Sequence, residues 1–250
     1  MSPRRGRGLA AVALLAACCC CALPPALAQA QTGASLQALL SPDRMGASTT
    51  LTLNFRLSGG EEGIPPPLSR LVFSLPAGLG ISARGVAICS RTRLQDKGPS
   101  GCPSASRLGH GRELLEVHAG SQTLPEQATI WLFRGPNRGN SPTLELLSRG
   151  ETPLQETTLT TGVIETAKAP FGWRLSVPIP AIPTVVYEPN ASIVSGSLII
   201  GRPAGKPAGK APTAGFRVPG RCSAGGFPFA ASFTFADGSM ASATATVACP

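Results

Sequence analysis

Histidine occurs only twice in the 250 residues, tyrosine once and tryptophan twice, and thirteen acids face 22 lysines and arginines. Two histidines, His110 and His118, restrict any base-assisted nucleophilic site to one of those two bases. A serine hydrolase would use His110 in Gly109-His110-Gly111, with Ser104 or Ser106 as nucleophile and Glu113 or Glu116 as orienter. The strained Gly-x-Ser-x-Gly elbow is missing, however. His118, at the end of a strand pattern, is expected at the surface. The shortage of aromatics works against a sugar cleft built on stacking platforms, because beyond the N-terminus only Trp131, Trp173, Tyr187 and the phenylalanines could serve. Core packing is the expected role of both tryptophans. A glycosidase would need two carboxylates facing each other about 5 to 9 Å apart, which a sequence does not display.

Other absences narrow the classes further. Beyond the N-terminal thirty residues, cysteine and histidine do not recur at the two-to-four-residue spacings of a zinc site. Phosphate-cradling loops and dinucleotide fingerprints are missing, so neither metal nor cofactor is expected. After residue 30 no stretch approaches the ~20 uncharged apolar residues of a spanning helix. No recognition helix or stacking set accompanies the basic residues, and nucleic acid is not an expected partner.

What is present begins with an export signal. Arg4, Arg5 and Arg7 precede an uncharged apolar run from Leu9 to Leu23, and Ala26-Leu27-Ala28 has the small-x-small pattern cut by signal peptidase. Cleavage after Ala28 releases a secreted, extracytoplasmic protein. Leu15-Ala16-Ala17-Cys18 is a competing lipobox, and acylation of Cys18 would instead anchor the chain, each buried methylene adding roughly 0.8 kcal/mol of membrane affinity. Residues 1–28 hold three arginines and no acid, so their removal lowers the formal charge from +9 to +6.

Four cysteines remain, Cys89, Cys102, Cys222 and Cys249, an even number in an oxidising compartment. Their grouping favours Cys89 with Cys102 and Cys222 with Cys249, among three possible connectivities.

Period-two alternation dominates the rest, the mark of strands with one buried face. Leu51, Leu53, Phe55 and Leu57 alternate with polar neighbours, as do Leu71, Phe73 and Leu75 before Pro76-Ala77-Gly78. Further strands are expected at 86–89, 114–118, 129–134, 143–147, 157–166, 172–178, 192–200 and 215–218. Phe229 to Phe235 and Met240 to Ala248 flank Asp237-Gly238 as a hairpin. A second hairpin joins 130–133 to 144–147 across a Gly/Pro/Asn-rich loop. Only Ala34 to Leu40 reads as briefly helical. The expected fold is all-β: a single large β-sandwich, a jelly-roll or immunoglobulin-like double sheet, following a signal peptide at 1–28 and an N-terminal segment at 29–47. The sandwich spans 48–250 and carries a mobile Pro/Gly/Lys loop at 202–215.

With Leu75-Pro76-Ala77-Gly78-Leu79, Cys89, Cys102-Pro103-x-x-Ser106-x-x-Gly109-x-Gly111, and the ending Phe233-Thr234-Phe235-Ala236-Asp237-Gly238 before Cys249-Pro250, the chain resembles secreted proteins of high-GC actinobacteria. The resemblance implies export, disulfides and β structure and carries no catalytic residue. The densest basic region surrounds the first cysteine pair: Arg84, Arg91, Arg93, Arg107 and Arg112. If these converge they can grip phosphate or carboxylate polymers, such as anionic cell-wall polymer. The expected function is a non-enzymatic structural or binding module of the cell surface. A secreted hydrolase acting on carbohydrate or ester substrates is the alternative.

Overall fold

The computed structural model describes residues 32–82, 86–184, 188–201 and 215–250. The export signal, the lipobox, Arg84, Tyr187 and all but the last residue of the 202–215 stretch lie outside the described residues. Thirteen strands make up most of the described chain: β1 Gly33–Ser41, β2 Ser48–Ser58, β3 Leu68–Pro76, β4 Gly80–Ser82, β5 Arg107–Ala119, β6 Gln122–Arg134, β7 Thr143–Gly150, β8 Thr157–Thr166, β9 Phe171–Pro178, β10 Ser192–Ile200, β11 Gly215–Arg217, β12 Phe227–Phe235 and β13 Met240–Val247. Every pairing is antiparallel, in the order β13-β12-β3-β9-β8-β7-β6-β5-β10-β2-β11-β4, with β1 also on β2.

The ladder curls until β13, at one end, lies alongside β1, which flanks β2. Strands far apart in the ladder then face each other: Phe55 of β2 packs on Phe233 of β12 at 5.3 Å between ring centres and on Phe73 of β3 at 6.3 Å. One core runs between the opposed layers, drawing Leu36, Leu53, Leu71, Ile130, Leu146, Leu175, Ile193 and Phe229 from eight strands. The architecture is the expected all-β, sandwich-like one.

Two local expectations are corrected. Residues 34–40 form β1, not a helical turn: Leu36, Ala38 and Leu40 are buried at period two while Leu39 is 57% exposed, and the full strand pairs with β2. Residues 86–89 form no strand. Cys89 donates its backbone N–H to the Arg134 carbonyl, and Ser90 then caps a helix, α1 Arg91–Gly101, by accepting from the Arg93 N–H. Leu94 is the buried residue of this helix and packs with Cys89, Cys102, Phe133 and Leu147 in a satellite cluster on the outer face of the sheet. Gly98, at φ +63°, and Pro99 break its helical path. With α1 packed on Leu147 and the chain at Gly135 and Pro136 against Thr143 and Glu145, β7 is buried on both sides from Thr143 to Leu147.

The cysteines pair as Cys89–Cys102 and Cys222–Cys249, with Cα separations of 5.4 and 5.9 Å. The first closes both ends of α1; the second ties the end of the β12–β13 hairpin. At the tip of that hairpin the Ser239 hydroxyl and N–H both donate to Asp237 Oδ1, which holds the Asp237 carboxyl below its usual range.

Candidate functional site: an arginine-lined groove

Alternation on three neighbouring strands determines what the outer face of β3, β9 and β8 presents. Leu71, Phe73, Leu175, Val177 and Ile164 turn inward, so Arg70 and Val72, Arg174 and Ser176, and Val163 and Glu165 turn outward. Register aligns them in rows: Val72, Ser176 and Val163 in one; Ser74, Arg174 and Glu165 in the next; Arg70 beside Pro178. Arg91 reaches this face from the first turn of α1, and Arg138 from the β6–β7 loop, where it exchanges backbone hydrogen bonds with Ser141. The result is an open groove of about 760 Å³ with four guanidinium groups in its walls.

Two of these arginines are held in place. Arg174 donates Nε and Nη2 to the same Glu165 oxygen, at 2.8 and 2.7 Å. Both side chains are about half exposed, so the pair contributes little to stability and serves mainly to orient the guanidinium. Arg91 Nη2 donates to the Leu159 carbonyl at 2.8 Å, and Nη1 reaches Thr161 Oγ1 at 3.4 Å. The Thr161 hydroxyl in turn donates to the buried Glu145 at 2.8 Å, which couples Arg91 to the interior of the β7–β8 ladder. Glu165 is the carboxylate among the described residues lining the groove. A site with this charge balance is suited to phosphate or carboxylate groups spaced along a chain.

The arginines read from the sequence do not form one cluster. Of the four that are described, Arg91 enters the groove, whereas Arg93 folds back to the Gly101 carbonyl of its own helix. Arg107 and Arg112 lie on β5, separated from β8 in the ladder by β6 and β7, and Arg112 lines a different surface depression with Asn54 and Gln127. Arg70, Arg138 and Arg174 were missed, because their convergence depends on β3 pairing with β9 across about a hundred residues. Only the outward orientation of Arg70 and Arg174 was available, from the alternation.

The residues of the hydrolase alternative are also dispersed. His110 is exposed on β5 between Trp131 and Ile199, whereas Glu113, three residues on, turns to the opposite face. There the Ser148 hydroxyl donates to it, and burial raises its carboxyl above the usual range against that hydrogen bond. Ser106 is buried and donates to the Pro103 carbonyl at 2.6 Å. His118, half-buried opposite Thr123, ends the same strand. Glu126 and Glu145 are buried on opposite faces of the sheet, Glu126 accepting the Leu154 N–H and Glu145 the Thr161 hydroxyl. Gly109 and Gly111 have a packing role: a Cβ at either would come within 2.4 Å of a β10 carbonyl oxygen. Trp131 packs on the satellite cluster and Trp173 on the main core, as expected.

Scans against protein-family models, curated proteins and solved structures return no match. No helix among the described residues is long and apolar enough to cross a membrane, and no group of three or more potential metal ligands occurs among them.

Proposed function

We propose that the chain is an exported, non-enzymatic binding module that takes an anionic polymer of the cell envelope along the groove on β3, β9 and β8. The observation that carries this reading is the convergence of Arg70, Arg91, Arg138 and Arg174, from four separate elements, on one groove with a single exposed carboxylate already tied to Arg174. Export is supported by the N-terminal apolar run with its small-x-small site and by the two disulfides, which persist in oxidising compartments. The resemblance to secreted actinobacterial proteins points the same way.

Each guanidinium acts in high-dielectric surroundings and contributes modestly alone, so affinity has to come from a ligand that presents several charges at once. Such binding is screened as the Debye length falls from about 10 Å at 0.1 M salt to about 3 Å at 1 M. Co-sedimentation with isolated bacterial cell walls tests it. Retention at low salt that disappears by about 0.5 M NaCl is expected; absence of retention, or retention indifferent to salt, overturns the reading.

A further inference from the structure

At one end of the sandwich, where β2 begins and β10 finishes, lies a second site, which shares Arg174 with the outer groove. A cavity of about 130 Å³ opens between the layers, walled by Leu51, Leu53, Phe73, Leu144, Ile164 and Phe216. Protein interiors leave few voids larger than a water molecule, so a space of this size in an otherwise filled core is unusual. Away from Arg134, Arg174 and Thr143 water is a poor occupant, because a buried water needs two to four polar partners. Among the described lining residues, the side chains able to hydrogen-bond are those of Arg134, Arg174, Thr143 and Trp173. Thr143 donates its hydroxyl to the Pro136 carbonyl, Arg134 Nη1 donates to the Val86 carbonyl, and Arg174 is bound to Glu165. A dry space of roughly 150 Å³ walled by Leu, Ile and Phe accepts benzene, which sets the size of group this cavity can hold.

Charge sets the rest of the ligand. Arg134 ends β6 directly opposite Leu144, on the inner-face register, and lines the apolar cavity while its Nη1 holds the Val86 carbonyl. No carboxylate occurs among the described lining residues. A positive charge beside apolar surface attracts an anion more strongly than the same charge in open solvent. Gly201 and Gly215 also line the cavity, contributing backbone without side chains.

We infer that this cavity binds a small apolar acid, an aryl or short acyl group seated among the leucines with its carboxylate at Arg134. Phenylacetate and its neutral counterpart benzyl alcohol test the two halves of the inference in ¹⁵N-HSQC titrations of the intact protein. Both are expected to shift resonances of the cavity walls, phenylacetate roughly tenfold more tightly, as a hydrogen bond to a charged group implies. Ile164→Phe, and independently Leu144→Phe should the first not fold, fills the cavity and is expected to abolish both. Arg134→Gln removes the preference for the acid and leaves alcohol binding in place, while Arg134→Lys retains the preference. Arg70→Gln, in the outer groove, changes neither. The inference is overturned if millimolar phenylacetate leaves the cavity resonances unmoved. Wild-type binding by a folded cavity-filling variant overturns it too, as does a preference for the acid that survives Arg134→Gln.

Discussion

The glycines at the β5–β10 crossing show how a motif that looks chemical serves packing. Gly109-His110-Gly111 places two absent side chains against the Ile199 and Ser197 carbonyls, and Gly196 on the facing strand leaves room for the Phe55 ring, which a Cβ would approach to 2.5 Å. Gly111→Ala therefore has to push backbone apart, and a loss of about 1–3 kcal/mol is expected, read as a fall in Tm without loss of β signal. His110→Ala, with its side chain exposed, is expected to leave Tm within the range of surface substitutions. Glu113 sits beside the same crossing, facing inward. Its folded-state carboxyl titrates above the unfolded value, so the folded state holds the proton more tightly. Its contribution is fully present below the unfolded pKa and is lost as pH rises through the raised folded value. The slope is at most about 1.4 kcal/mol per pH unit. Thermal melts between pH 4 and pH 8 should show Glu113→Gln with a flatter stability profile than wild type and a higher relative stability at pH 8. An unchanged slope would mean that this carboxyl is solvated.

Most strands were legible because alternation is a local property: Leu51, Leu53, Phe55 and Leu57 mark β2 and Leu71, Phe73 and Leu75 mark β3, and the Asp237-Gly238 hairpin follows from its turn residues. Elements that depend on distant partners were not. β1 offers Leu36, Ala38 and Leu40 at period two, but its short Ala- and Leu-rich run also suits a helix, and the pairing with β2 decides between them. α1 has a polar sequence with one buried residue, Leu94, so no helical stripe marks it. Its ends are closed by Cys89–Cys102, and its inner side is packed on Phe133 and Leu147. This accounts for the different roles of the two disulfides. By loop closure, opening Cys89–Cys102 and Cys222–Cys249 costs about 3 and 3.5 kcal/mol respectively. Opening the first also unseats α1. The Cys89→Ser/Cys102→Ser pair is thus expected to expose the β6–β8 amides selectively in hydrogen exchange, whereas Cys222→Ser/Cys249→Ser frays the β12–β13 end. Uniform loss of protection in either variant would argue against separate roles.

At the scale of the whole molecule, the curled sheet makes the groove. β3 and β9 are neighbours although about a hundred residues separate them, and the β6–β7 loop and α1 both project over the face they share with β8. Each arginine is ordinary on its own strand or loop; the arrangement arises from the strand order, which no local pattern encodes. The same closure encloses the apolar cavity at one end of the layers, leaving an arginine-lined outer groove and an apolar cavity that have Arg174 in common. Dispersed surface charge predicts non-specific, evenly distributed polyanion binding, whereas a groove predicts that four positions dominate. The most direct measurement compares retention on anionic cell walls, at low salt, of a variant neutralised at Arg70, Arg91, Arg138 and Arg174 with one neutralised at Arg56, Arg93, Arg107 and Arg112, all eight side chains being exposed. Each set removes four positive charges. The groove account predicts that the first variant loses retention by about tenfold or more, as the loss of several charge-assisted contacts implies, while the second binds nearly as wild type. Equal losses in the two variants would contradict it.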